Sequence, residues 1–242
     1  MQRECTTLRN THHFSRLCYN LFMTIVQLSR THAADAARLH IAGQPGTFLT
    51  SLGPSVLTVF YQALPQSPAG FGFAAIDNSD RATLGQTLPA NRQNPPFPNT
   101  LGFISATTSV GALFMELGTR RIGQFLPPLF ARFARQPALI LRSVQTVLYP
   151  FLVRKEHEHH TGATAELLSI MVEPAMRSQG IGAQLMTALL AECRQRQIQH
   201  LDVTVDTTNA AAQRFYIRHG FSLSHKFVLY GREMSSYRLG IQ

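Results

Sequence analysis

Two hydrophobic periods take turns along this chain, and each switch between them marks an element boundary. Residues 23–28 form a short apolar run that predicts a strand, and Thr31 stands at the cap position of a helix expected to reach about His40. Leu49, Leu52, Val56, Leu57, Phe60, Tyr61 and Leu64 recur at helical spacing and predict one helix over 48–64. Strands are expected at 71–76 and 101–107. Between them lie the turn-rich Asp77-Asn78-Ser79-Asp80 and a stretch, 81–99, in which Pro89, Pro95, Pro96 and Pro98 predict a long exposed loop. Further on, the run 166–172 reads as a strand closed by Glu173-Pro174, and Ile181, Leu185, Met186, Leu189, Leu190 and Cys193 share one helical face. Residues 201–205 alternate as a strand, and 209–218 read as a helix stopped by Gly220 in a left-handed cap. Strands at 221–229 and 236–239, turning at Gly231, complete the pattern, which contains no internal repeat.

The block from about 110 to 160 breaks this rhythm. Its helix-like pieces are expected to be interrupted by Pro127-Pro128, Pro137 and Pro150. Between Leu117 and Lys155 it carries seven basic residues (Arg120, Arg121, Arg132, Arg135, Arg142, Arg154 and Lys155) and no acidic one, interleaved with apolar residues such as Phe125, Phe130, Phe133 and Tyr149. Two readings stay open: a helical insertion with a solvated basic face, or a peripheral contact of 117–155 with an anionic membrane. No nucleic-acid partner is expected, because the aromatic residues occupy core-like positions rather than stacking platforms. Glu156-His157-Glu158-His159-His160 is nearly contiguous, so it reads as a solvated linker, and no metal is expected.

Length and composition narrow the class. A chain of 242 residues with 45% hydrophobic content suits one generous domain, expected at 23–242, with 1–22 as a poorly ordered extension. The net charge of +9 is compatible with nucleic acid, a membrane surface or an anionic small molecule. Cys5, Cys18 and Cys193 are odd in number and lack paired spacing, which argues against a disulfide framework or a zinc site and leads to the expectation of a cytoplasmic protein. Residues 17–28 follow Arg3, Arg9 and Arg16 in the manner of a secretion signal, but Tyr19, Asn20 and Gln27 interrupt the run.

The candidate chemistry sits at Arg177-Ser178-Gln179-Gly180-Ile181-Gly182-Ala183, between a strand and a helix. A glycine-rich turn feeding a helix N-terminus offers free N–H groups and the positive end of the helix dipole to an anion. A phosphorylated ligand is therefore expected. A dinucleotide fold would need G-x-G-x-x-G near the start of a βαβ unit with an acidic residue about 20 positions on, and neither is present. A P-loop would need Lys after its last glycine, and none follows Gly182.

A second segment accompanies the turn: Asn209, Ala212, Phe215, Tyr216, Gly220 and Phe221, in the spacing N-x-x-A-x-x-F-Y-x-x-x-G-F. With Arg177, Gly180 and Gly182 as R/Q-x-x-G-x-G/A, the pair resembles the GNAT superfamily of acetyl-CoA-dependent N-acetyltransferases, firmly over about 165–240 and more loosely over 23–107. The resemblance implies an α/β fold with a mixed, mostly antiparallel sheet flanked by helices, and a helical insertion ahead of the cofactor-binding strand. It implies acetyl-CoA as cosubstrate. The backbone of Ile170, Met171 and Val172 would pair with the pantetheine arm, and Arg177, Ser178, Gln179, Gly180, Ile181, Gly182 and Ala183 would hold the pyrophosphate, with Asn209 nearby. Tyr216 is the implied acid toward the departing thiolate, and Glu166, at the start of the strand, the implied base. By strand alternation Glu166 is expected to share a face with Leu168, Ile170 and Val172. His219, beside the left-handed turn, reads as a helix-end histidine.

The resemblance implies acetyl transfer to a primary amine by direct attack in a ternary complex. A small molecule is the first expected acceptor, an amino sugar in particular, because residues 48–53 (Phe-Leu-Thr-Ser-Leu-Gly) resemble bacterial members active in envelope-polysaccharide biosynthesis. A protein N-terminus or lysine, and a non-catalytic acyl-CoA-binding regulator, are the alternatives.

Overall fold

A computed structural model of the chain describes residues 23–78, 100–136, 162–229 and 231–242. The expected extension 1–22, the loop 81–99, and the part of the insertion that holds Pro137, Pro150 and the 156–160 run lie outside the described residues.

Seven strands make one sheet: β1 (Met23–Gln27), β2 (Gly70–Asp77), β3 (Thr100–Thr107), β4 (Thr164–Val172), β5 (His200–Asp206), β6 (Ser222–Leu229) and β7 (Arg232–Gly240). Their order is β1-β2-β3-β4-β5-β7-β6, and each neighbouring pair is antiparallel except β4 and β5. One face carries α1 (Ala33–Gly43), α2 (Phe48–Ser51), α3 (Pro54–Ala63), α4 (Val110–Arg120) and α5 (Ile122–Arg135); their apolar residues form a core with Phe103 and Met171 of the sheet. The other face packs α6 (Ile181–Gln195) and α7 (Ala210–Arg218) against Ile104, Leu167, Leu201 and Val203. The architecture is the mixed α/β sheet that the resemblance implied.

Several local readings change. The helix expected over 48–64 is two, because Gly53 takes φ +89° and Pro54, which lacks an N–H, begins α3 at the position where no N–H is needed. The cap expected from Thr31 belongs to Ser29, whose backbone N–H donates to His32 Nδ1 at 3.1 Å ahead of a short 3-10 turn into α1. Pro127-Pro128 do not interrupt α5, which runs through both. The two carbonyls that lose their usual i+4 donors, those of Gly123 and Gln124, belong to exposed residues and can bond to water. Strand β7 starts earlier than expected because its exposed first residues carry no apolar alternation to read.

A bulge in β4 matters most for the site. Ser105 pairs with Ser169 and Ala106 with Leu167, so Leu168 is an extra residue. Ala165 and Leu167 point to the α6 face, and after the bulge Ile170 and Val172 do so. Leu168 and Met171 point to the α1–α3 face. Glu166 lies opposite Ala165 and Leu167, so it shares a face with Leu168 but not with Ile170 and Val172. The expected common face is therefore overturned by one inserted residue, which reverses the parity of all that follow it.

Candidate active site

β4 and β5 pair only from Thr164↔His200 to Leu167↔Val203. Beyond this fork the two strands part, and the β5-facing edge of Leu168–Val172 has no strand beside it among the described residues. Such an edge presents a row of backbone donors and acceptors to an extended ligand. The groove that opens here has a volume of about 1960 Å³. Ile170, Met171 and Val172 all line it.

At the end of β4 a 3-10 turn, Pro174–Met176, leads to the glycine segment. Ser178 has φ +63° and Gly180, the N-cap of α6, has φ +88° in the left-handed region, where a residue without Cβ sits without strain. Gln184 N–H is the first to bond back into the helix, to Gly180 O at 3.1 Å. The N–H groups of Ile181, Gly182 and Ala183 therefore stand ahead of the helical ladder, at its positive end. The two glycines differ in their reasons. A Cβ on Gly180 would meet open space, whereas one on Gly182 would come within 3.3 Å of the Phe215 ring. Gly182 thus lets α6 approach α7 closely, and Gly180 supplies the turn.

The other sequence candidates distribute unevenly. Arg177, Ser178, Gly180, Ile181, Gly182, Ala183 and Asn209 line the groove, while Gln179 does not; its side-chain N–H donates to Met176 Sδ at 3.8 Å. Arg177 Nε donates to the Val172 carbonyl at 3.3 Å, tying the turn to β4. Asn209 Oδ1 accepts from Ala212 N–H at 3.1 Å, so it caps α7. His219 Nδ1 donates to the Phe215 carbonyl at 2.8 Å, in keeping with a helix-end histidine.

Tyr216 lines the groove from α7, with its ring held edge-on between Phe215 and Phe221. Burial raises its phenol above the ordinary range, so it stays protonated. Glu166 stands at the fork beside Asp202, its partner across the parallel pair. Burial, and then the like charge of Asp202, push its carboxyl up to about 7. Asp202 is itself held by Arg238 through two bonds of 2.7 Å. This pair escaped the sequence reading, although the alternation of Asp202, Thr204 and Asp206 against Leu201, Val203 and Val205 already marked one polar face of β5. Beneath β4, His40 Nδ1 lies 2.6 Å from the Tyr61 hydroxyl, which in turn donates to Ser169 Oγ at 3.3 Å. This buried cluster also escaped the sequence reading, because its three members are far apart in the chain. Cys193 is buried and its thiol is pushed up to about 11, which leaves it unreactive. No cluster of metal-binding side chains occurs among the described residues.

Comparison with known proteins agrees with this geometry. Residues 147–221 match the model of the acetyltransferase (GNAT) family. Over 87 residues the chain is 33% identical to an aminoalkylphosphonate N-acetyltransferase of Salmonella typhimurium, covering 36% of this chain and 56% of that protein. The chain thus matches only about half the length of that curated relative. Its fold is similar to that of a GNAT-family protein from Desulfovibrio desulfuricans, with a TM-score of 0.54 and 14% identity over 91% of this chain and 99% of the other. It is similar, with the same TM-score and identity, to Arabidopsis thaliana NAA60 in complex with acetyl-CoA, over 90% of this chain and 98% of the other. Residues 147–221, which hold the fork of the sheet and the glycine-capped helix, thus match the acetyltransferase (GNAT) family, and the chain as described shares the fold of GNAT-family structures.

Proposed function

We propose that the chain transfers the acetyl group of acetyl-CoA to the primary amine of a small molecule, by direct attack within a ternary complex. The observation that carries this reading is the fork of the sheet, with Glu166 at its base and the Gly180-capped N-terminus of α6 at its far end. The residues present fit the cosubstrate. The open edge of Ile170, Met171 and Val172 suits the amide-bearing pantetheine arm, and the N–H groups of Ile181, Gly182 and Ala183 suit its pyrophosphate. Bound there, acetyl-CoA supplies an activated acyl carbon and a thiol leaving group.

The amine nitrogen forms the new C–N bond as the C–S bond breaks. Glu166, ionised above about pH 7, accepts the proton lost by the amine, directly or through a water. Tyr216 O–H gives a proton to the departing sulfur. Asp202, fixed by Arg238, keeps Glu166 basic enough for its task.

The relative named for aminoalkylphosphonates supports a small amine and adds that class to the amino sugars expected from 48–53, a segment whose Phe48 and Leu49, in α2, line the groove. A thiol-release assay with acetyl-CoA against amino sugars, aminoalkylphosphonates and peptides tests the proposal. Release with a small amine, lost in Glu166→Gln, is the expected result. Release with peptides alone would make the acceptor a protein. Binding of acetyl-CoA without release on any amine would make the chain a non-catalytic acyl-CoA-binding protein.

A further inference from the structure

The α4–α5 hairpin is apolar on the face it packs and also on the face it turns to water. Phe125, Leu129 and Phe133 of α5 pack inward, and Arg132 Nε donates to the Ser51 carbonyl at 2.8 Å, which fixes this as the inner side. On the outer side Ile122, Leu126 and Phe130 follow one another at four-residue steps and are 41%, 55% and 76% exposed. They form a stripe about 12 Å long. The remaining exposed positions described on α5 are Gly123, Gln124, Pro127, Ala131 and Ala134, so Gln124 is the one polar side chain among them. Met115 on α4, 58% exposed, adds a fourth large apolar group on the same hairpin. A helix facing water carries polar residues on its outer side, and an apolar stripe there marks a surface that is covered in use.

Charge identifies the cover. The seven basic residues between 117 and 155 have no acidic counterpart in that span. Glu116, just ahead of it, is turned inward, accepting from Ser67 Oγ at 2.6 Å and facing Arg121 at 4.0 Å. Arg120 is exposed at the end of α4. Arg121 and Arg132 are engaged inward, so a second copy of the chain would set the basic excess of this span against itself, and a neutral apolar partner would leave Arg120 unanswered. An anionic lipid surface answers both, with its acyl region taking the stripe and its head groups the exposed Arg120 beside it.

We propose that the α4–α5 hairpin docks the protein on an anionic bilayer. Phe114 and Met115 of α4 also line the groove, so docking sets that wall of the groove against the lipid. The surface stands independently of the acetyl-transfer reading. Co-sedimentation with phosphatidylcholine vesicles, with and without phosphatidylglycerol, tests it. The wild type is expected to pellet with the anionic vesicles and to be released by salt. The double variant Leu126→Ser/Phe130→Ser is expected to partition about tenfold more weakly, with unchanged circular dichroism and acetyl-CoA affinity. Arg120→Glu, which leaves the stripe intact, is expected to lose part of the preference for phosphatidylglycerol. Equal pelleting of wild type and double variant, or no pelleting of the wild type on either vesicle, would overturn the proposal. So would a wild-type dimer that the double variant dissociates, which would assign the face to a second copy.

Discussion

Glu166 owes its character to where the sheet forks. Burial, and then the like charge of Asp202, which Arg238 holds in place, make it titrate near 7 instead of in the usual carboxylate range. If it is the base, kcat/KM for acetyl transfer rises with pH through about 7. Glu166→Gln should flatten that limb and lower kcat by roughly 10²–10⁴. Asp202→Asn, by removing the like charge, should move the limb toward acid. Tyr216→Phe should cut kcat while the acetyl-CoA KM holds, because the ring packing between Phe215 and Phe221 survives the loss of the hydroxyl. An unaltered kcat would remove Tyr216 from the chemistry. His40 behaves in the opposite sense. Burial pushes it down to about 4, below its ordinary 6.5, so the folded state resists protonation. The stability it carries is complete above pH 6.5 and is lost as pH falls toward 4, by on the order of 3 kcal/mol. Urea unfolding midpoints should therefore fall over that interval in the wild type and fall less in His40→Gln.

At the scale of elements, α6 and its two glycines separate packing from binding. Gly182→Val would press on the Phe215 ring and should cost about 1–3 kcal/mol of stability, read as a lower urea midpoint. Much of this region was legible in the amino-acid order. The short apolar run at 166–172, the alternation at 201–205, the helical face from Ile181 to Cys193 and the left-handed stop at Gly220 each reflect a local period or a local backbone need, and such signals survive in one dimension. The bulge at Leu168 was not legible, because an extra residue in a strand that is apolar on both faces leaves the pattern looking unbroken. The continuous α5 was misread at Pro127-Pro128, where exposure of the freed carbonyls, a tertiary fact, removes most of the expected penalty. Asp202 and Arg238 are 36 residues apart and the His40–Ser169 contact spans 129, so only the folded register brings them together.

Across the whole molecule, the sheet splits the work between its two faces. The α6 and α7 side presents the glycine turn and Tyr216, while the opposite face of β4 and β5 presents Glu166, Asp202 and Thr204 to the same groove. The fork lets the two faces meet at one point, where an acyl group held from one side can face an amine held from the other. None of the described helices is long and apolar enough to cross a membrane, so the hairpin surface on α4 and α5 is argued as a docking face alone. The central claim is that the turn at Gly180 and the open edge of β4 hold acetyl-CoA. Isothermal titration calorimetry tests it most directly, comparing wild type with Gly180→Val. Any side chain at this position is strained at φ +88° yet meets no packing neighbour, so the fold is expected to persist. Saturable one-to-one binding of acetyl-CoA by the wild type, weakened about tenfold or more in a folded Gly180→Val, is the result the account requires. Absence of binding by the wild type, or equal affinity in the two proteins, would contradict it.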